Sequence, residues 1–143
     1  MTIRQISVFV ENKSGRLFDV AETLGKANIN IRALSLADTL DFGVIRLIVD
    51  DVAKATDALK VAGFTASLTD VLAIRIADVP GGLAGVLSVL TKKGIDIEYM
   101  YAFAGSTGKD AVMIFRIEKA ADAVKALSDT KGLLLSDEEL RSL

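Results

Sequence analysis

The sequence contains no cysteine and no histidine. Their absence excludes disulfide bonds, thiol nucleophiles, zinc sites of the usual kind and the most common general base. We therefore expect no metal site. The formal net charge is -2, so non-specific binding to nucleic acid or to an anionic membrane is not expected either.

Long apolar runs are also missing, since no stretch approaches the roughly 18 residues of a membrane span. The chain leads directly into Ile3-Arg4-Gln5-Ile6 without a signal-peptide pattern, so we expect a cytoplasmic protein. What the sequence does have is 51% hydrophobic and 25% charged residues. That balance is typical of a globular protein that can bury a core.

A strand-to-helix turn between Val10 and Leu17 is the main feature of the first half. An alternating apolar run precedes it, and residues with helical spacing follow it (Leu17, Val20, Ala21, Leu24). Ser14 is predicted to cap the helix with its side-chain oxygen, and Gly15 allows a tight turn. The first turn of a helix has unpaired N–H groups and partial positive charge, so it can hold a small anion such as an amino-acid carboxylate.

The same turn occurs again 66 residues later. Gly15 and Leu17 correspond to Gly81 and Leu83, and Asn30 corresponds to Asp96. A repeat of this length exceeds the roughly 20–50 residues of a solenoid unit. It indicates two small domains, residues 1–70 and 71–143.

Hydrophobic periodicity predicts the same βαββαβ order in both units. In the first, we expect strands at Ile3–Val10, Ile29–Ala37, Phe42–Val49 and Phe64–Asp70, with helices at Arg16–Ala27 and Val52–Ala62, the latter followed by Gly63 as the C′ residue. In the second, we expect strands at Val71–Ala77, Ile95–Ala104, Ala111–Ile117 and Gly132–Leu135, with helices at Leu83–Lys93 and Ala120–Ser128. An exposed loop is expected at Gly105–Asp110, and a short helical turn capped by Ser136 near the end. The fold class is α+β, ferredoxin-like, with antiparallel sheets and the helices on one face.

Two of the predicted strands are apolar on both faces. Val44 and Ile48 in one, and Val112 and Ile114 in the other, alternate with residues that belong under the helices. A solvated sheet face is normally polar, so we expect the helix-free face to pack against a second subunit in a homodimer. The alternative is that these are ordinary scattered surface apolars.

These features together resemble the ACT domain. The resemblance rests on a strand, the pattern Asn-x-Ser/Pro-Gly-x-Leu, a helix, and Asn/Asp-Ile at the second strand, within a βαββαβ unit. It covers the chain as two tandem copies, similar to small stand-alone tandem ACT proteins. It implies a non-catalytic regulatory module, with no catalytic residue and no cofactor, that binds an amino acid or other small ligand at domain interfaces.

The first unit can be matched further, because Glu11-Asn12-Lys13-Ser14-Gly15 resembles the turn of the serine-sensing ACT domain of phosphoglycerate dehydrogenase. That resemblance implies ligand contacts from Asn12 and, across an interface, from Asn30. Val10 stands where that family has a histidine, so serine itself is not implied. The candidate ligand-binding residues are Asn12, Ser14, Gly15, Arg16, Leu17, Asn30 and Ile31, with second-repeat equivalents Asp78, Pro80, Gly81, Gly82, Leu83 and Asp96.

The two repeats differ chemically, since Asp78 and Asp96 replace the two asparagines. Their carboxylates would repel a ligand carboxylate, so the first turn is the favoured site. Alternatives stay open: Asn12 and Asp78 can simply cap turns, and Asn30 and Asp96 can be plain turn residues. Pro80 is common in a first helical turn whatever the function.

Other classes of protein with this element order fit less well. An acylphosphatase-like enzyme needs an arginine-bearing phosphate loop, and metal-carrying domains need Cys-x-x-Cys. RNA-binding domains need aromatic residues on central strands and basic charge. The remaining alternative is a ligand-independent interaction module that acts as the regulatory subunit of a metabolic enzyme.

Overall fold

The computed structural model describes residues 1–104, 108, 110–130 and 133–143. It divides into two compact units, Arg4–Thr69 and Met1–Ile3 together with Asp70–Leu143. Most of the loop predicted at Gly105–Asp110, and Gly132 of the predicted last strand, lie outside the described residues.

Twelve elements follow one another in the described residues, in the order expected for two βαββαβ units and one further helix. They are β1 (Ile3–Glu11), α1 (Arg16–Lys26), β2 (Ile31–Asp38), β3 (Phe42–Val49), α2 (Val52–Val61), β4 (Thr65–Ala77), α3 (Gly82–Lys92), β5 (Tyr99–Ala102), β6 (Asp110–Arg116), α4 (Ala120–Ser128), β7 (Leu134–Leu135) and α5 (Asp137–Arg141). The predicted α+β, ferredoxin-like fold class is confirmed.

In the first unit, β3 pairs antiparallel with both β1 and β2. Paired residues share a sheet face, so the pairs Val8–Ile45 and Ile6–Leu47 bring their side chains to one side. The predicted alternation therefore places these residues under α1 and α2, where Val20, Leu24, Ala55 and Leu59 complete the core.

The second unit repeats this arrangement, with β6 paired antiparallel to β4 and β5, and β7 paired to β4. Leu72, Ile74 and Ile76 form a core with Val86 and Leu90 of α3 and with Ala123 and Leu127 of α4. These positions correspond to core positions of the first unit, as the repeat predicted.

Three predicted strands begin too early, because their first residues, Ile29, Phe64 and Ile95, complete helix ends; after α2, Phe64 N–H donates to Leu59 O at 2.9 Å. After α1, Asn28 has a positive φ of 58° and its N–H donates to Gly25 O, while Ile29 N–H donates to Leu24 O at 3.0 Å. After α3, Gly94 and Ile95 form the same pair of bonds with Thr91 and Leu90. This Schellman pattern satisfies the last helical carbonyls, so Ile29 and Ile95 belong to helix ends and not to strands.

The boundary between the predicted fourth and fifth strands is also absent. Thr65–Ala77 is one strand of 13 residues, since no glycine or proline interrupts this stretch.

Gly63 is the C′ residue of α2 as predicted, with φ 87°. Ser136 caps α5 in a full capping box with Glu139, which confirms that prediction. Within the described residues no helix is long and apolar enough to cross a membrane.

Three of the four apolar residues predicted on the helix-free faces are buried, whereas Phe9, which pairs with Val44, is 47% exposed. Ile48 and Val112 are each 3% exposed, and Ile114 is fully buried; Val44 is half-buried. Their apolar character therefore does not by itself require a second subunit, and the homodimer stays a prediction.

Truncating a core leucine should show how much the first helix depends on this packing. Leu24 is fully buried, so we expect Leu24→Ala to lower the free energy of unfolding by about 2–5 kcal/mol. Leu40 is 96% exposed, and Leu40→Ala should change it by less than about 0.5 kcal/mol. Urea denaturation of both variants measures the difference; equal effects would contradict the assigned core.

Candidate ligand-binding site

The turn between β1 and α1 starts the helix with a left-handed glycine. Gly15 is the N-cap residue, with φ 88° and ψ -8°, and no side chain caps this helix. The prediction that Ser14 is the cap was wrong, because the helix begins one residue later than that role requires. Only glycine adopts this φ without strain, so a side-chain cap is replaced here by backbone geometry.

The backbone bonds of the turn leave two N–H groups at the start of α1 free. Lys13 N–H donates to Glu11 O at 2.8 Å, Arg16 N–H to Lys13 O at 3.4 Å, and Asp19 N–H to Gly15 O at 2.9 Å. The N–H groups of Leu17 and Phe18 have no acceptor in the part of the chain that is described. Free N–H groups at this position attract an anion.

Asn12 ties the turn to the hairpin between β2 and β3. Its backbone N–H donates to Asp41 O at 3.1 Å, and its side-chain Nδ2 donates to Thr39 O at 3.3 Å. An amide nitrogen carries two N–H donors, so one remains for another acceptor. The bond to Thr39 in another segment is a structural role, but it differs from the turn cap that was left open as an alternative.

A small cavity of about 80 Å³ lies beside the turn. Its lining includes three predicted site residues, Asn12, Arg16 and Leu17, and seven others: Val10, Glu11, Lys13, Leu36, Asp38, Gly43 and Ile45. An open depression lined by Glu11, Asn12, Lys13, Leu40, Asp41 and Phe42 adjoins it. The structure thus gives the predicted turn a concave surface with apolar and polar walls.

Most charges around this cavity already have partners. Lys13 Nζ lies 2.7 Å from Glu11 Oε2, and this hydrogen bond and the lysine charge hold the pKa of Glu11 below its usual value. Arg16 pairs with Asp19 at 3.3 Å and its guanidinium carbon lies 5.0 Å from the centre of the Phe64 ring. Its buried Nε has no hydrogen-bond partner in the described structure.

Sequence reasoning missed the contribution of the β2–β3 hairpin to this cavity. Leu36 and Asp38 come from β2, and Gly43 and Ile45 from β3. These residues reach the cavity because Val10 pairs with Gly43, which brings the end of β1 to the start of β3. The pairing register itself could not be read from one sequence.

Asn30 and Ile31 are not part of this cavity. Asn30 precedes β2, whereas Asp38 ends it, and eight residues at about 3.3 Å each separate them by roughly 25 Å. The Asn30 N–H donates to Asp50 Oδ1 at 3.1 Å, and Ile31 packs partly buried against the first core. Asn12 and Asn30 of one unit therefore cannot hold the same small ligand.

The second turn has the backbone bonds of the first. Gly81 is the N-cap with φ 83°, and Val79, Gly82 and Gly85 donate to Ala77, Val79 and Gly81 at 2.9–3.0 Å. Pro80 precedes this N-cap residue and lies outside α3. Leu83 packs half-buried against the second core, and Asp96 lines a separate cavity of about 50 Å³ with Gly94, Glu118 and Lys119.

Gly82 makes the second turn tighter than the first. A Cβ atom placed on Gly82 would lie 2.0 Å from Ala77 O, a contact that no side chain tolerates. The corresponding residue of the first turn is Arg16, which has a Cβ atom. At the start of α1 there is room for the Arg16 side chain. At the start of α3 the Ala77 carbonyl occupies the corresponding space beside Gly82.

Comparison with known families matches the whole chain, residues 1–143, to the family described as the ACT domain pair. The chain belongs to the ACT domain pair family. The pair is a regulatory module, and the resemblance read from the turn sequences is confirmed.

Solved structures give the same result for the fold of this ACT pair. Protein BT0572 from Bacteroides thetaiotaomicron is 42% identical, with a TM-score of 0.92 over 100% of this chain and 98% of that one. The regulatory subunit of aspartate kinase from Thermus thermophilus is 19% identical, with a TM-score of 0.66 over 88% and 91% of the two chains. The corresponding protein from Thermus flavus has a TM-score of 0.60, 19% identity and coverages of 88% and 90%. No curated protein matches the sequence.

Two glycines of α3 in the second ACT unit should respond in opposite ways to alanine. Gly82→Ala should destabilise the protein by at least about 1–3 kcal/mol, since the new methyl group meets a backbone carbonyl. Outside the backbone of its own helix and its two chain neighbours, no described atom lies within 4 Å of the Cβ position of Gly85, so Gly85→Ala should stabilise by about 0.4–1 kcal/mol. Thermal and urea unfolding measure both; a tolerated Gly82→Ala would contradict the tight turn.

Proposed function

We propose that the chain is a non-catalytic regulatory protein that binds an amino acid, or a similar small carboxylate, at the turn between β1 and α1. The observation that carries the proposal is a helix start with no side-chain cap, beside a cavity with mixed polar and apolar walls. A bound carboxylate would accept hydrogen bonds from the N–H groups left free at that start.

Each residue of the first turn has a role in this proposal. Leu17 and Phe18 supply backbone N–H donors, and Gly15 sets the φ that directs them. The second N–H of Asn12 Nδ2 supplies a side-chain donor. Ser14 and Arg16 contribute as parts of the turn backbone and of the cavity wall, respectively.

The first repeat fits a carboxylate better than the second for two reasons. Asp78 stands in place of Asn12, and its negative charge repels an anion at short range. In addition, Ala77 O approaches the start of α3 closely enough to exclude a Cβ atom from Gly82. A carbonyl oxygen there presents partial negative charge where the ligand carboxylate would bind.

Asn30 completes the site in this proposal from a neighbouring domain, since it lies far from Asn12 of its own unit. A homodimer would supply such a domain. A ligand held across an interface favours the assembly that completes its site, by no more than its difference in affinity. Couplings of this kind are typically about 1–3 kcal/mol.

A second candidate is a ligand-independent subunit that docks on a metabolic enzyme. Apolar side chains near the turn favour it, since Phe18 is 64%, Leu40 96% and Phe42 59% exposed. Exposed apolar groups in proximity can mark a protein-binding surface. The Thermus structures are named as regulatory subunits of aspartate kinase, and for this chain that partner enzyme is only a hypothesis.

A thermal-shift screen against the twenty amino acids separates the two candidates. A ligand that binds only the native state raises the melting temperature, by an amount that grows with concentration. We expect at least one amino acid to do so. If none does at 10 mM, the docking subunit becomes the better interpretation.

Substitution of Asn12 should then weaken binding of that amino acid selectively. Asn12→Ala removes a hydrogen bond to a charged group, which costs about 1.5–3 kcal/mol of binding free energy. It also removes the exposed bond from Nδ2 to Thr39 O, so urea unfolding is measured beside binding to separate the two losses. Asp78→Ala is the matched control and should change binding less. Calorimetry measures both; a loss with Asp78→Ala but not with Asn12→Ala would assign the site to the second repeat.

The proposed homodimer predicts a molar mass about twice that of the monomer in analytical ultracentrifugation at tens of micromolar protein. Adding the amino acid found in the screen should shift any monomer–dimer equilibrium toward the dimer, because the ligand is held across the interface. A monomer with and without ligand at these concentrations would rule out the role of Asn30.

A further inference from the structure

We draw no further inference here: the strongest candidate, the outer edge of β2 with the exposed side chains of Leu34 and Leu36, carries none because nothing in the part of the chain that the structure describes shows what covers it.

Discussion

The left-handed glycine at the start of α1 is the constraint on which the candidate site depends. Gly15, at φ 88°, is itself the residue before the helix, and as a glycine it has no side chain with which to cap it. The helix then begins with N–H groups that water, a ligand or a carbonyl must satisfy. Gly81 imposes the same geometry on α3. The two units differ in the residues that lie near the N–H groups at the helix start.

Everything else around the first turn holds this geometry in place. Asn12 connects the turn to the β2–β3 hairpin through Asp41 and Thr39, and Thr39 is itself bonded to Phe42. The hairpin in turn pairs with β1 along the residues that form the core. The site is therefore supported by regular secondary structure, which keeps exposed polar residues in fixed positions.

Much of the fold could be predicted from the sequence because its signals are local. Alternation and helical spacing identified the core residues of both units, such as Val8 and Leu24, and β3 and α4 have the predicted bounds. The errors occur where one residue type serves two structures. Ile29 and Ile95 are branched residues typical of strands. Here their N–H groups donate to the helical carbonyls of Leu24 and Leu90, and hydrophobic periodicity does not reveal such bonds.

Of the residues around the candidate site, the sequence predicted only those that lie together in one continuous segment of the chain. The glycine turn and Asn12 have a sequence pattern, so they could be found. Asp38, Leu36 and Ile45 reach the cavity through strand pairing, which joins residues far apart in the chain and needs the register to be known. The failed cap at Ser14 has a similar reason, since the choice between serine and glycine as N-cap depends on the φ of one residue.

The contact that Gly82 avoids also determines how freely the two turns can be exchanged. Copying the residues of the first turn onto the second would put an arginine where Ala77 O leaves no room for a Cβ atom. A second binding site could therefore not be engineered by grafting side chains alone. The backbone from Ala77 to Gly82 would have to be rebuilt first, so a transplant must exchange the loop as a unit together with the strand end that precedes it.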